Sequence, residues 1–257
     1  MVSVYTPNLF ADRVAVVTGA RGGLGRAIAD HLGALGAIVV ELDLNDAQPD
    51  ANAPFHFKAC DISDADAVEK VARWVQSEIG PCDILVNNAA VLGDSGPLDC
   101  LEPDQWDKIV SVNLRGSMLC AKHFGAHMLE TGSGAIVNIA SIAAHLPNAT
   151  TAYGPTKAGL LALTRQIAVE WGPRGVRANA ISPGLIRTPM SDGFYADPQI
   201  RVARESVVAQ RRIGEPSDIA SVVAFLASDA SAYVNGQEII VDGGFGLTTL
   251  MAVQKKS

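Results

Sequence analysis

Short β-branched apolar runs alternate with longer stretches of helical periodicity along nearly the whole chain, and this alternation limits the fold more than any other feature. Strands are expected at Arg13–Thr18, Ala37–Leu42, Phe55–Cys60, Asp83–Asn87, Gly134–Ser141, Val176–Ile181 and Glu238–Val241. Helical patterns fall between them, over Leu24–Leu35, about Asp64–Glu78, a long stretch of about Pro103–Met128, Ala152–Trp171 and about Pro216–Ser228. The strand runs are nearly continuous in apolar residues, as required of strands covered on both faces. Repeated strand–helix alternation closes into a parallel sheet. The expected fold is α/β: a doubly wound parallel sheet of about seven strands with helices on both faces. No linker, repeat or low-complexity segment interrupts the 257 residues, so 1–257 reads as one domain. The one long irregular stretch, about Ser182–Ile213, is expected to form a lid, because connections of that length in compact domains are usually functional.

Composition narrows the partners. Hydrophobic residues make up 48% and charged residues 18%, which argues against a disordered chain. Twenty basic residues against 27 acidic ones give a net charge of −7, and no Lys/Arg block exceeds pairs such as Arg211-Arg212. Nucleic acid and anionic membranes are therefore disfavoured as partners. No apolar run is long enough to span a bilayer, and no basic segment, apolar run and cleavage site open the chain. Cys60, Cys82, Cys100 and Cys120 form no C-x-x-C pair and read as idle thiols in a reducing compartment. A cytoplasmic protein is expected.

The first strand runs straight into Thr18-Gly19-Ala20-Arg21-Gly22-Gly23-Leu24-Gly25. Glycines there let the backbone turn tightly and approach a pyrophosphate, and the following helix presents its positive end to the same anion. Asp43 closes the second strand at about the spacing of a ribose-reading carboxylate, with Leu42, Leu44 and Asn45 around it rather than a cation. Such a carboxylate accepts from ribose hydroxyls and repels a 2′-phosphate, so NAD is favoured. Arg21 can in principle reach a phosphate, which keeps NADP open. Glu41 is a rival to Asp43 but falls inside the strand.

Tyr153 and Lys157 stand four residues apart at the start of a helical pattern, so they share a face. A free phenol ionises near pH 10, too high for a base at neutrality, and a neighbouring cation favours its ionised form. The five histidines (His31, His56, His123, His127 and His145) show no ligand pattern. His123 and His127 lack a third ligand, and no metal is expected.

With these motifs in order, the chain resembles the short-chain dehydrogenase/reductase family, in its single-domain branch, from Arg13 to Gly244. The resemblance rests on the Thr18–Gly25 loop, Asp61-Ile62, Asn87-Asn88-Ala89-Ala90, Asn113, Ser141, Tyr153 with Lys157, Pro183-Gly184 and Val241-Asp242-Gly243-Gly244. It implies a Rossmann-like sheet and hydride transfer between a secondary alcohol and a nicotinamide. It implies catalytic roles for Asn113, Ser141, Tyr153 and Lys157. Ser141 would bond the substrate oxygen, Tyr153 would act as base, Lys157 would also bind the nicotinamide ribose, and Asn113 would hold a water of a proton relay. The cofactor would be held by Gly19, Arg21, Gly23, Leu24, Gly25, Asp43, Asp61, Ile62, Asn88, Ala89, Ala90, Tyr153, Lys157, Pro183, Gly184, Ile186 and Thr188. A homotetramer is implied, packed through the long helix and the Ala152–Trp171 helix. The tail from Gly246 to Ser257 would reach a neighbour's pocket or fray.

Two departures from the family pattern stand out. Ala90 replaces the usual glycine, and the Ser141–Tyr153 segment is one residue short. Asp94, Ser95, His145, Asn148 and Leu185 are candidate pocket residues. Arg201, Arg204, Phe194 and Tyr195 are candidates on a lid from about Met190. The expected substrate is a sugar, polyol or cyclic secondary alcohol. Two alternatives are weighed against it: an NADPH-dependent reductase of 3-oxoacyl thioesters or other carbonyls, and a catalytically silent binding protein on the same fold.

Overall fold

A computed structural model describes residues 5–44, 55–189, 191, 193 and 197–248. Asn45, Met190, Phe194, Tyr195 and residues 249–257 of the tail lie outside the described residues. Seven strands form one sheet: β1 (Val14–Thr18), β2 (Ile38–Asp43), β3 (His56–Ala59), β4 (Cys82–Asn87), β5 (Gly134–Ile139), β6 (Val176–Pro183) and β7 (Glu238–Val241). Their order is β3-β2-β1-β4-β5-β6-β7, and every neighbouring pair is parallel. The winding reverses between β1 and β4. At such a switch point the loops leaving the strands diverge and open a crevice at their carboxyl ends.

Among the described residues the helices are α1 (Gly23–Ala34), α2 (Ala65–Glu78), α3 (Pro103–Val110), α4 (Ser117–Thr131), α5 (Tyr153–Trp171), α6 (Pro198–Val207) and α7 (Pro216–Ala227), and they flank both faces of the sheet. Successive β1 residues serve opposite cores. Val14 and Val16 pack with Val75 of α2, Phe124 and Met128 of α4 and Ile167 of α5. Ala15 and Val17 pack with Ile28 and Leu32 of α1 and Val223 of α7. Each fully buried aliphatic side chain contributes about 1.5–3 kcal/mol, which is why the strands are apolar without alternation. Helix starts follow local chemistry. Asp64 caps α2 by accepting from the Asp66 and Ala67 amides, while Glu215 and Asp218 form a capping box on α7 behind Pro216.

Two regions differ from the sequence expectation. The long helix of Pro103–Met128 is three segments, because a π-helical stretch, Ser111–Gly116, separates α3 from α4. The irregular stretch Ser182–Ile213 contains α6, capped by Asp197, whose carboxylate accepts from the Gln199 amide, with Pro198 in the first turn. That Asp-Pro start was readable, and Ile200, Ala203 and Val207 share one face at helical spacing, although α6 buries none of its residues.

Candidate active site

A cleft of about 650 Å³ opens at the switch point. One wall is the loop from β1 to α1. Gly25 sits so close beneath it that a Cβ there would lie 2.0 Å from the Gly19 carbonyl oxygen. Thr18 ties this loop to the β4 exit: its Oγ1 accepts from the Asn88 and Ala89 amides, both at 3.0 Å. Asn88 Nδ2 in turn donates to the carbonyls of Thr18 and Gly19. Among the described residues no side chain caps α1, so its N-terminal amides face the cleft. Thr188 and Pro189 pack over Gly23 from the far side. An uncapped helix end under a glycine loop with no room for side chains fits a dinucleotide's pyrophosphate.

Asp43 lines the cleft beside Asp61 and Ile62. Its carboxylate is oriented by two amides, those of Arg21 at 3.0 Å and Leu44 at 2.8 Å. Glu41 is buried in β2 between Arg21 and Arg26, and burial raises its pKa against the pull of both guanidiniums. The Arg21 guanidinium lies over Phe57, 4.1 Å from the ring centroid. The loop's backbone therefore faces the cleft while its one cation is turned toward β2 and β3.

At the other end, β5 delivers Ser141 and α5 delivers Tyr153 and Lys157. Ser141 heads a short 3₁₀ turn, Ile142–Ala144, where its Oγ accepts from the Ala143 amide at 3.1 Å. Gly154 lets α5 approach this turn, since a Cβ there would lie 2.8 Å from the Ala143 carbonyl oxygen. Ser141 and Tyr153 are thereby brought into hydrogen-bond contact. Lys157 is 2% exposed, donates to the Ile139 carbonyl at 2.7 Å and holds its Nζ 5.4 Å from the Tyr153 ring centroid. Burial pushes the Lys157 ammonium down to about 8. Burial also pushes the Tyr153 phenol up to about 12, with the Ser141 bond working the other way. In the protein alone, desolvation outweighs the expected activation by Lys157, so the phenol is held protonated.

Asn113 stands within the π stretch and is 1% exposed. Its amide side chain clamps Val91 through both backbone groups and reaches Thr156 Oγ1 at 3.3 Å. The Asn113 carbonyl accepts from Ser117 Oγ at 3.0 Å. A π turn frees backbone groups that a regular helix consumes, and such turns concentrate at functional sites.

Most expected cofactor residues line this one cleft: Gly19, Gly23–Gly25, Asp43, Asp61, Ile62, Asn88–Ala90, Tyr153, Lys157, Pro183, Gly184, Ile186 and Thr188, with Ser141 among them. Arg21 contributes its amide to Asp43 and does not line the cleft. The substrate-wall candidates Asp94, His145, Asn148 and Leu185 are not among the residues lining this cleft. Asp94 accepts from Gln105 at 2.6 Å. His145 bonds Glu238 at 2.8 Å. Asn148 closes a turn on Thr150. Leu185 lines a separate hollow with Arg212 and Asp218. His127 Nδ1 accepts from the Cys82 amide. Among the described residues, no group of three or more His, Cys, Asp or Glu is placed to hold a metal. No helix there is long and apolar enough to cross a membrane.

Comparison with known proteins agrees with this geometry. A family model described as enoyl-(acyl carrier protein) reductase matches residues 19–246. A cis-4-hydroxycyclohexanecarboxylate dehydrogenase of Sinomonas cyclohexanicum is 38% identical over 244 residues, covering 92% of this chain and 97% of that one. A D-threitol dehydrogenase of Mycolicibacterium smegmatis is 38% identical over 242 residues, covering 91% and 92%. The chain belongs to the short-chain dehydrogenase/reductase family. Among solved structures, a levodione reductase superposes with a TM-score of 0.85 at 36% identity, covering 91% of this chain and 98% of that one. As a short-chain dehydrogenase/reductase, the protein exchanges hydride between a CH–OH group and a nicotinamide cofactor. Lys108, Ser111 and Val112 also line the cleft and were missed in sequence. Their spacing puts them on one helix face just before Asn113, but nothing in sequence says which face meets the cleft.

Proposed function

We propose that the protein is an NAD-dependent dehydrogenase of a polyol, sugar or cyclic secondary alcohol. The cofactor preference is carried by Asp43. Its oriented carboxylate borders the cleft, and the nearest loop cation, Arg21, is engaged by Glu41 and Phe57. A carboxylate so placed accepts from ribose hydroxyls and opposes a 2′-phosphate. The substrate class is supported by the relatives named for a hydroxycyclohexanecarboxylate and for threitol.

In this reading Ser141 donates to the substrate oxygen and Tyr153 takes the hydroxyl proton at its phenolic oxygen. Lys157 holds a cation under the phenol and donates to the cofactor's ribose. A nicotinamide bound here would supply the hydride acceptor and a positive charge beside Tyr153. Asn113 positions Val91 at the cleft floor and supplies a carbonyl for a water between Lys157 and solvent. The loop Gly19–Gly25 and the α1 terminus hold the pyrophosphate. Asp61 and Ile62, which line the cleft beside Asp43, would hold the adenine, and Ile186 and Thr188 would hold the nicotinamide. A homotetramer packed through α4 and α5 is supported by apolar Met118 and Val169 left exposed on those helices. Light scattering of the purified chain tests it.

Steady-state kinetics with NAD+ and NADP+ over sugars, polyols and cyclic alcohols test the reading as a whole. Turnover with NAD+ at a kcat/KM at least about tenfold above that with NADP+ is expected. Equal use of NADP+, or no turnover of any secondary alcohol, would overturn it.

A further inference from the structure

Glu41 takes no part in the reaction drawn above, yet it is a carboxylate sealed inside the molecule at 1% exposure. A buried carboxylate must be paired or give up its charge. Two arginines meet it: Arg21 Nε lies 3.3 Å from Oε2 and Arg26 Nη1 lies 3.4 Å from Oε1. Arg26 is also bound to Asp30 at 2.9 Å, one helical turn along α1. Arg21 is gripped on a second side by the Phe57 ring. Phe57 is the β3 residue in register with Glu41. Two adjacent strands thus hold one guanidinium between a carboxylate and an aromatic face.

The position of that guanidinium gives the grip its meaning. The Arg21 amide donates to Asp43 Oδ2, so the main chain of Arg21 touches the carboxylate that reads the ribose. Arg21 is the only basic residue of the Thr18–Gly25 loop. A guanidinium on a flexible stem is a bidentate phosphate ligand, and this one is anchored on the residue whose amide meets the Asp43 carboxylate. The fold spends this cation on β2 instead.

We propose that Glu41 is a specificity-determining residue: it holds Arg21 against Phe57 and so withholds the loop's cation from a 2′-phosphate. This inference rests on the reading of Asp43 as the ribose ligand. NADP is then refused twice, by repulsion from Asp43 and by sequestration of the cation that would offset it. Asp43 acts on the ligand directly, whereas Glu41 acts only through Arg21.

The test is calorimetric titration of the full chain with NAD+ and with NADP+, which reads binding without turnover. The variants are Asp43→Ser, Glu41→Gln, the double variant and the triple variant with Arg21→Met. Removing Asp43 repulsion first, Glu41→Gln is expected to tighten NADP+ binding a further tenfold or so, the order of one hydrogen bond between charged groups. NAD+ binding is expected to stay within about threefold across the same pair. Arg21→Met is expected to erase the gain. A double variant that binds NADP+ no better than Asp43→Ser overturns the inference, as does a gain that survives Arg21→Met. Should Glu41→Gln not fold, Glu41→Asp shortens the arm and opens the Arg21 pair for the same measurement. A wild-type protein that binds both dinucleotides equally sinks the Asp43 reading, while the coupling between Glu41 and Arg21 still decides this one.

Discussion

At the scale of single residues, the site stores its reactivity as two unfavourable burials. The Tyr153 phenol is pushed up to about 12 in the protein alone. A difference titration of tyrosinate absorbance between the wild type and Tyr153→Phe is therefore expected to show no ionisation of Tyr153 below about pH 10, the ordinary phenol value. Saturation with NAD+ is expected to bring that ionisation down into view. Tyr153→Phe should lower kcat by roughly 10²–10⁴, a far larger effect than any it has on the NAD+ dissociation constant. Lys157 is pushed the other way, from the ordinary lysine range down to about 8. Between about pH 8 and pH 10 the unfolded chain binds a proton that the folded chain lacks, so this lysine's penalty on stability is full below that window and relieved as pH rises through it. The whole swing is on the order of 3 kcal/mol. Lys157→Met removes the charge and the donor to Ile139, and it should abolish activity. Denaturant unfolding of the cofactor-free proteins should show the wild type gaining on Lys157→Met as pH rises from 7 to about 10. A gap that stays flat across that range would mean Lys157 carries its charge without a desolvation penalty.

At the scale of elements, the catalytic geometry depends on how closely α5 meets the Ser141 turn. A Cβ on Gly154 would press on the Ala143 carbonyl at 2.8 Å, with backbone on both sides of the contact. Gly154→Ala is expected to part Ser141 from Tyr153 and lower kcat at least about tenfold, because small misplacements of reacting groups are costly. NAD+ affinity should hold, since the pyrophosphate loop lies at the other end of the cleft. An unchanged kcat would show that the turn absorbs the methyl group. The same elements mark what the sequence could reveal. Strands buried on both faces, the glycine loop and the Tyr153–Lys157 pair are written in local pattern and period. The π stretch around Asn113 is not, and neither is the clamp that Asn113 makes on Val91, 22 positions away. Nor is the substrate wall. His145 meets Glu238 of β7, 93 positions along the chain, and Asn148 closes its own turn, and the His145 contact is not written in local pattern. Side chains in loops point where distant partners draw them, and period says nothing about that.

At the scale of the whole molecule, a chain with a net charge of −7 binds an anionic cofactor. The long-range field opposes both dinucleotides, and it opposes NADP+ more because of the added 2′-phosphate. Local attraction must therefore come from fixed dipoles, above all the uncapped end of α1. These contributions respond differently to salt. Raising the ionic strength from about 0.01 M to about 0.15 M shortens the screening length from about 30 Å to about 8 Å. That removes most of the field from distant carboxylates and leaves the loop amides, at contact distance, nearly untouched. Part of the opposition from partly exposed Asp43 remains. The ratio of NADP+ to NAD+ dissociation constants should therefore fall by a few-fold over this range and then level off above unity. The residual ratio measures Asp43 and its locked neighbour Arg21, and the part that falls measures the net charge. Calorimetric titrations at four or five salt concentrations give both. A ratio independent of salt would place all of the discrimination in contact geometry, and a ratio that falls to unity would place all of it in the field.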